Sequence, residues 1–478
     1  MKDNTMKTLF LNPPSFHRFD CAGARYQARR RTRAMWFPVW LCEAASIIDE
    51  SRVLDCPVED ISMERMANIA KDYNLVVIST SSATIKMNVK AAEYLKNKQD
   101  CKIIFVGPHV SMTAEEIMKT SDVVDGVARR EYDFTIKEIS EGKKFDEILG
   151  LTWRKDGKII HNPDRPLIKD LDQFPYVSKI YKRDLKIKLY REPELLYPYV
   201  SIMTGRGCMF RCTFCLWPQT FFSREYRVRS PEHVAGEVKY IKEELPEVEE
   251  IMFDDGTFTA YPDRVDEICG LIKNMDMTWS CNARADVRYE TLKKMKEAGC
   301  RLLVVGYESA DQQILNNIHK GVTEKQMIEF TKNCKKLGIM IHGCFVIGLP
   351  GETKETIKKS LKFATDLDLD SVQASVVTPY PGTEIYQYFK EKNLLVNGDL
   401  ADEEGFQDCI INMPDLPAKQ IIKAADDFHV KFFYRPWFFL KMFKMVLKDK
   451  REFSRILNSG SQFQSYVIKS FYKKFNKK

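Results

Sequence analysis

The stretch Tyr199-Val200-Ser201-Ile202-Met203-Thr204-Gly205-Arg206-Gly207-Cys208-Met209-Phe210-Arg211-Cys212-Thr213-Phe214-Cys215 decides how the rest of the chain is read. Its first half is an apolar run that predicts a strand. Its second half is a loop whose cysteines are separated by three and then two residues. Thiolates at that spacing can wrap one face of an iron-sulfur cubane and bind three of its irons, which leaves the fourth iron without a protein thiolate. An open coordination position is where a metal does chemistry. Gly205 and Gly207 allow the tight backbone turn such a loop needs. Two plainer readings are a zinc site and a set of buried thiols acting as small hydrophobes. Zinc would want a further Cys or His at short spacing, and the nearest downstream candidates, His233 and Cys269, are not in a ribbon-like pair.

Downstream, strand candidates recur at Glu250 to Asp254, Thr278 to Asn282, Arg301 to Tyr307, Met340 to Ile347 and Ser371 to Val377, each followed by a helical segment. One helix opens with Ser230 as N-cap and Pro231 in its first turn. With the strand at Tyr199 this makes six βα units, too few for an eightfold barrel, and predicts a partial (β/α)6 TIM barrel over residues 198–400.

Upstream, residues 6–147 alternate short apolar strands with helices, the rhythm of a Rossmann-like doubly wound α/β domain. Its strands are expected at Thr8 to Leu11, Arg52 to Asp55, Leu75 to Thr80, Ile103 to Val106 and Val123 to Val127. Residues 148–197 read as a hairpin turning at Asp156-Gly157, then a proline-punctuated linker. After 401 helices dominate to the end at 478.

Composition agrees with a large globular protein of several folded units: 478 residues, 44% hydrophobic and 29% charged. A net charge of +7, from 74 basic and 67 acidic residues, gives no argument for a nucleic acid partner. The polar start MKDNTMKTLFLNPP lacks the apolar core of a signal peptide, and no apolar run is long enough to span a membrane. With thirteen cysteines in no secreted-scaffold pattern, the expectation is a reducing, cytoplasmic setting.

CxxxCxxC with an aromatic, Phe214, before the third cysteine, placed after the first strand of a βα barrel, resembles the radical SAM superfamily. The resemblance implies a 4Fe-4S cluster on Cys208, Cys212 and Cys215 whose open iron chelates S-adenosylmethionine. One electron then breaks a carbon-sulfur bond to give methionine and a 5'-deoxyadenosyl radical. It further implies SAM contacts at the strand ends: Asp254 and Asp255, Arg284, Glu308 and Ser309, and Ile347 and Gly348, with Phe214 packing on adenine. An electron donor such as ferredoxin or flavodoxin is implied too.

A doubly wound domain ahead of such a barrel is similar to the cobalamin-binding domain of one large class of these enzymes. That assigns Ser79, Thr80, Gly107, Pro108 and His109 to cobalamin. Two departures stand out: the Asp-x-His-x-x-Gly signature that ligates cobalt is absent, and the usual Gly-Gly is Gly107-Pro108. The segment FLNPPSFHRFDCAGARYQARRRTRAMWFPVWLCEAA is most similar to the hopanoid-biosynthesis-associated radical SAM protein J family. It implies rearrangement of a sugar-containing, lipid-linked substrate, with cobalamin-dependent methylation and a non-catalytic iron-sulfur or cobalamin sensor as alternatives.

Two basic features remain. Arg25, Arg29, Arg30, Arg31 and Arg33 cluster beside Trp36, Phe37 and Trp40. Lys441, Lys444, Lys448, Arg451 and Arg455 recur at helical spacing, with Phe439, Met442, Phe443, Val446 and Leu447 on another face. That stripe reads either as a peripheral membrane contact or as a cap helix with a solvated basic side.

Overall fold

In the computed structural model, residues 5–14, 34–400 and 407–475 are described; the arginine cluster at 25–33 lies outside them. β1 (Thr8–Asn12), β2 (Ser51–Asp55), β3 (Leu75–Ser79), β4 (Lys102–Val106) and β5 (Gly126–Ala128) pair in parallel in the order β2-β1-β3-β4-β5. This is a doubly wound order, in which ligands lie beyond the carboxyl ends of the strands. β1 and β3 are buried along their whole length, as expected of apolar runs covered on both faces.

The expected hairpin forms as β6 (Leu151–Lys155) and β7 (Lys158–His161), turning through left-handed Asp156 and Gly157. It is not part of a linker: β6 pairs antiparallel with β5, so the hairpin completes the first sheet. The three-residue β5 would otherwise be an unpaired edge.

β8 (Tyr199–Ile202) leads into a two-stranded ribbon, β9 (Gly205–Arg206) with β10 (Arg227–Val228). The second large sheet is parallel, ordered from β8 through β11 (Glu250–Phe253), β12 (Trp279–Ala283), β13 (Cys300–Glu308) and β14 (Met340–Ile347) to β15 (Ser371–Val376). It is the open six-stranded barrel. Along β14, His342 and Cys344 face the lumen while Ile341, Phe345 and Ile347 are buried against the helices, the alternation a pleated strand imposes.

An open barrel leaves β15 with an unpaired edge, and the C-terminal region occupies it with side chains. Val376 N donates to Gln407 Oε1 at 2.8 Å, and Gln407 Nε2 donates back to Val376 O at 2.5 Å. Ala374 N donates to Nε2 of the buried His429 at 3.1 Å, and His429 Nδ1 lies 2.8 Å from Ala425 O. His429 is therefore the neutral Nδ1-H tautomer.

The helices Pro436–Lys448 and Arg451–Phe475 close the base of the barrel. The basic stripe does not form one free face. Lys441 pairs with Asp370 at 2.9 Å, Arg455 with Glu452 at 2.5 Å, and Arg451 with Asp449 at 2.8 Å. Among the described residues no helix is long and apolar enough to cross a membrane.

Candidate active site

The cysteine loop is held in place by groups that surround it. Gly207 has φ +92°, and a Cβ there would overlap the carbonyl of Glu225, so no other residue fits without moving the ribbon. Cys208 N donates to Ser223 O at 3.1 Å, and Thr213 N to Ile318 O at 3.1 Å. The Gln219 amide donates to the carbonyls of Cys215 at 2.7 Å and Thr213 at 3.1 Å. Arg224 donates to Phe210 O at 2.7 Å. Gln219 and Arg224 carry no motif, and only the fold shows what they do.

Burial raises the thiol pKa of Cys212. It pushes that of Cys215 up to about 12, with the neighbouring Cys212 and Cys208 adding to the effect. These thiols keep their protons until a metal displaces them. No three His, Cys, Asp or Glu side chains among the described residues stand close enough to share one ion. Cys212 and Cys208 stand near enough to Cys215 to raise its pKa, so the three thiols share one site, and a cubane spreads such ligands over several irons. The residues fit a cluster.

Asp254 and Asp255, adjacent in sequence, do different things. Asp255 is fully buried, and its carboxylate accepts from Thr204 N and Thr204 Oγ1, each at 2.5 Å, and from Tyr226 OH at 2.7 Å. It braces the loop. Asp254 lines the lumen, where Asn282 Nδ2 donates to it at 3.0 Å.

At the end of β13, Glu308 has φ +63° at a register shift in the pairing with β14. A non-glycine residue in that region is strained, and such strain clusters at functional sites. Its carboxylate meets Lys320 Nζ at 2.7 Å, both side chains under a tenth exposed. Burial alone would lower the Lys320 pKa, but Glu308 beside it holds it above the ordinary lysine value. Gly306 lies against both members of the pair, so a Cβ there would displace the Glu308 carboxylate and the Lys320 ammonium. Lys320 was not legible from the sequence; its charge acts on Cys212 and brings it into the site.

Arg284 is buried and multiply held. It pairs with Asp286 at 3.0 Å, donates to Lys320 O at 3.0 Å and Gly321 O at 3.1 Å, and lies 3.7 Å from the centroid of Phe210. Ser309 is fully buried, with its hydroxyl 3.3 Å from Ser360 Oγ. Ile347 is fully buried, and Gly348 N donates to Glu352 at 2.5 Å. Burial pushes the Glu352 carboxyl up to about 8, so it is protonated at neutral pH.

Within the barrel is a cavity of about 420 Å³, in the range of small-molecule sites. Phe214, Cys215 and Trp217 stand at its mouth, Asp254 and Asn282 further along, and Glu194 and His342 towards its base. Trp36 also lines it and donates to Glu192 at 2.9 Å.

The carboxyl edge of the first sheet faces this mouth. Met112, in the helix after β4, and Thr220 both pack against Gly382, and Trp40 packs against Trp217 and Phe222. Buried ion pairs lock the two domains together. Arg206, from the cysteine loop's own ribbon, meets Glu43 at 2.7 Å and Asp133 at 2.8 Å, while Arg227 pairs with Glu131. Ser79, Thr80, Gly107, Pro108 and His109 come together at this edge. Thr80 Oγ1 donates to Val106 O at 2.7 Å, Gly107 has φ +119° beneath Thr80, and His109 Nδ1 lies 3.0 Å from Ser82 Oγ. Burial lowers the His109 pKa to about 4, so it is neutral.

A doubly wound sheet facing a partial barrel, whose first strand feeds a three-cysteine loop, defines an iron-sulfur enzyme of the partial-barrel class. Comparison with known proteins makes this specific. The profile of the Radical SAM superfamily matches residues 202–364. An uncharacterised methyltransferase of Pyrococcus horikoshii is 32% identical over 425 residues, covering 86% of this chain and 89% of the relative. The hopanoid C-3 methylase of Methylococcus capsulatus is 30% identical over 316 residues, covering 63% of this chain and 58% of the relative. The structure of the radical S-adenosylmethionine methyltransferase TsrM from Kitasatospora setae, with cobalamin and a 4Fe-4S cluster bound, superposes with a TM-score of 0.63. It is 16% identical and covers 80% of this chain and 74% of its own, a likeness of fold. The chain belongs to the radical SAM superfamily and is an enzyme using a 4Fe-4S cluster and S-adenosylmethionine.

Proposed function

We propose that the chain is a cobalamin-dependent radical SAM methyltransferase. The observation that carries this reading is the approach of the first sheet's carboxyl edge to the cysteine loop, with Met112 and Thr220, five residues beyond Cys215, both meeting Gly382. A planar cofactor on that edge would lie against the mouth. The small strand ends Ser79, Thr80 and Gly107 fit such a ligand, and Met87 and Met112 are adaptable side chains that can move to admit it. Methylation has better support than rearrangement, because the relatives described above carry methyltransferase or methylase names, the hopanoid one included.

When bound, the cluster supplies the electron that cleaves SAM, and cobalamin supplies a methyl carrier. The chain's own residues position the substrates. Cys208, Cys212 and Cys215 hold the cluster, Asp254 offers a carboxylate to the SAM ammonium, and the Glu308–Lys320 pair offers a charged anchor beside Cys212. Phe214 gives an apolar surface for adenine. Arg284 keeps the loop end at Gly321 in place. An electron donor such as ferredoxin or flavodoxin completes the system.

The test is anaerobic reconstitution with iron, sulfide and cobalamin, then SAM and a strong reductant, with mass spectrometry of the nucleosides. Wild type should form 5'-deoxyadenosine together with S-adenosylhomocysteine, the by-product of methyl donation, and Cys212→Ala should lose the 5'-deoxyadenosine. 5'-Deoxyadenosine without S-adenosylhomocysteine would return the rearrangement reading. Neither product from a cluster-loaded protein would favour a sensor.

A further inference from the structure

A second cavity, about 380 Å³, lies at the opposite end of the barrel from the cysteine loop. Its surface is mainly apolar, with Phe433, Tyr434, Phe438, Phe439 and Phe463 from the C-terminal helices and Val372 at the start of β15, and the charged Asp370 and Arg455 also line it. Two residues, Glu194 and His342, line both this basal cavity and the lumen. They form a buried polar partition, with His342 Nε2 3.2 Å from Glu194 Oε1 and Nδ1 2.7 Å from Ser371 Oγ.

The outer end of the basal cavity is apolar as well. Phe439 and Leu457 line it yet are 54% and 57% exposed, and Trp437, Leu440, Phe443 and Leu447 beside them are each more than half exposed. A contiguous apolar surface of this kind marks an interaction site. The mouth of the barrel, by contrast, is covered by the first domain through Met112 and Trp40. A long apolar molecule therefore meets the lumen most directly through the base.

We infer that the basal cavity binds the apolar chain of the substrate, its outer end at the exposed face and its functionalised end directed past Glu194 and His342 into the lumen. The shared chemistry is that of a linear hydrocarbon, isoprenoid or acyl. The inference rests on the lumen being the reaction chamber of the proposed methyltransferase.

The test is fluorescence titration of the reconstituted full-length protein with cis-parinaric acid, a fluorescent acyl chain, followed by displacement with farnesol or oleate. Saturable binding is expected, and the stronger competitor identifies the chain type. Gly460→Trp, which fills the cavity from a helical position where a Cβ meets nothing within 4 Å, should weaken binding at least tenfold, and Gly460→Ala should not. Met442→Trp narrows the opposite wall and serves if the first variant does not fold. No saturable binding by wild type, or equal binding by a folded tryptophan variant, overturns the inference. Failure with a dimer in sedimentation would show that a second copy of the chain covers the face. Absence of binding alongside normal 5'-deoxyadenosine formation defeats only the basal site, whereas binding without any nucleoside product defeats the methyltransferase reading.

Discussion

The two ends of the barrel are both built from buried charge, yet they are built differently. At the mouth, charged side chains such as Glu308, Lys320 and Arg284 surround a loop held through its backbone by Ser223, Gln219 and Arg224 and by the conformation of Gly207. At the base, Arg301 alone ties three segments together. It meets Glu250 at 2.9 Å, Glu452 of the last helix at 2.8 Å, and the carbonyl of Glu194 at 2.6 Å. Glu250 also accepts from Leu196 N at 2.6 Å. The mouth holds its shape so that the cysteine loop stays in place, and the base holds its shape so that the last helix stays joined to the strands around the basal cavity. Chemistry and stability should therefore separate under mutation.

The largest expected effect is at the mouth. In Gly207→Ala the new Cβ meets the Glu225 carbonyl at a backbone conformation that costs about 1–3 kcal/mol for a residue other than glycine. The loop must shift, and Cys208 shifts with it. Iron bound per chain after reconstitution should fall severalfold and 5'-deoxyadenosine formation with it, while the apoprotein loses no more stability than that strain. Iron content equal to wild type would show that the ribbon yields and that the loop is softer than its contacts indicate.

Glu452→Ala is the converse. It removes one carboxylate from Arg301 and the principal partner of Arg455, leaving buried cations short of countercharge. Breaking such a pair costs about 3–5 kcal/mol, and the remaining Glu250 points to the lower end of that range. A loss of about 3 kcal/mol lowers the melting temperature by roughly 6–12 °C in a unit of this size. Iron content of the folded protein should be unchanged; a drop would mean that the base transmits its state to the mouth.

The same contrast explains what the sequence disclosed. The cysteine spacing, the strand ends at Asp254 and Glu308, and the strand positions in both sheets are local patterns, set by periods of two or by a few consecutive residues. Arg301, Glu250 and Glu452 are separated by 51 and 151 positions, and nothing local marks them as partners. Lys320 and Gln219 stayed hidden for the same reason, since each acquires its role from a loop brought to it by folding. Asp255 shows the limit of motif reading: beside Asp254 it reads as a ligand, and only the three hydrogen bonds from Thr204 and Tyr226 identify it as a strut. The five cations of the C-terminal stripe looked like one face because their spacing is helical, but a break at Asp449 divides them between two helices.

The smallest effect is a pH dependence that belongs to the mouth. The Glu352 carboxyl has a folded pKa of about 8, raised by burial, against an ordinary value of 4.5. Between these values the folded chain holds a proton that the unfolded chain has released, so stability must fall as pH rises. The contribution is complete below about 4.5 and is lost as pH climbs through about 8. Over one pH unit, from 6 to 7, this proton is worth about 1.4 kcal/mol. Glu43, raised to about 7 by burial despite the nearby Arg206, adds in the same sense at the domain interface. In urea titrations at the two pH values, Glu352→Gln should reduce the fall in stability by about that amount, because the amide is neutral in both states. The fall remaining in the variant should trace to groups such as Glu43. If Glu352→Gln leaves the pH dependence intact, the carboxyl is ionised in the folded protein. The hydrogen bonds from Gly348 and Leu349 then outweigh its burial, and the mouth carries one more negative charge beside the turn at Gly348 than burial alone would allow.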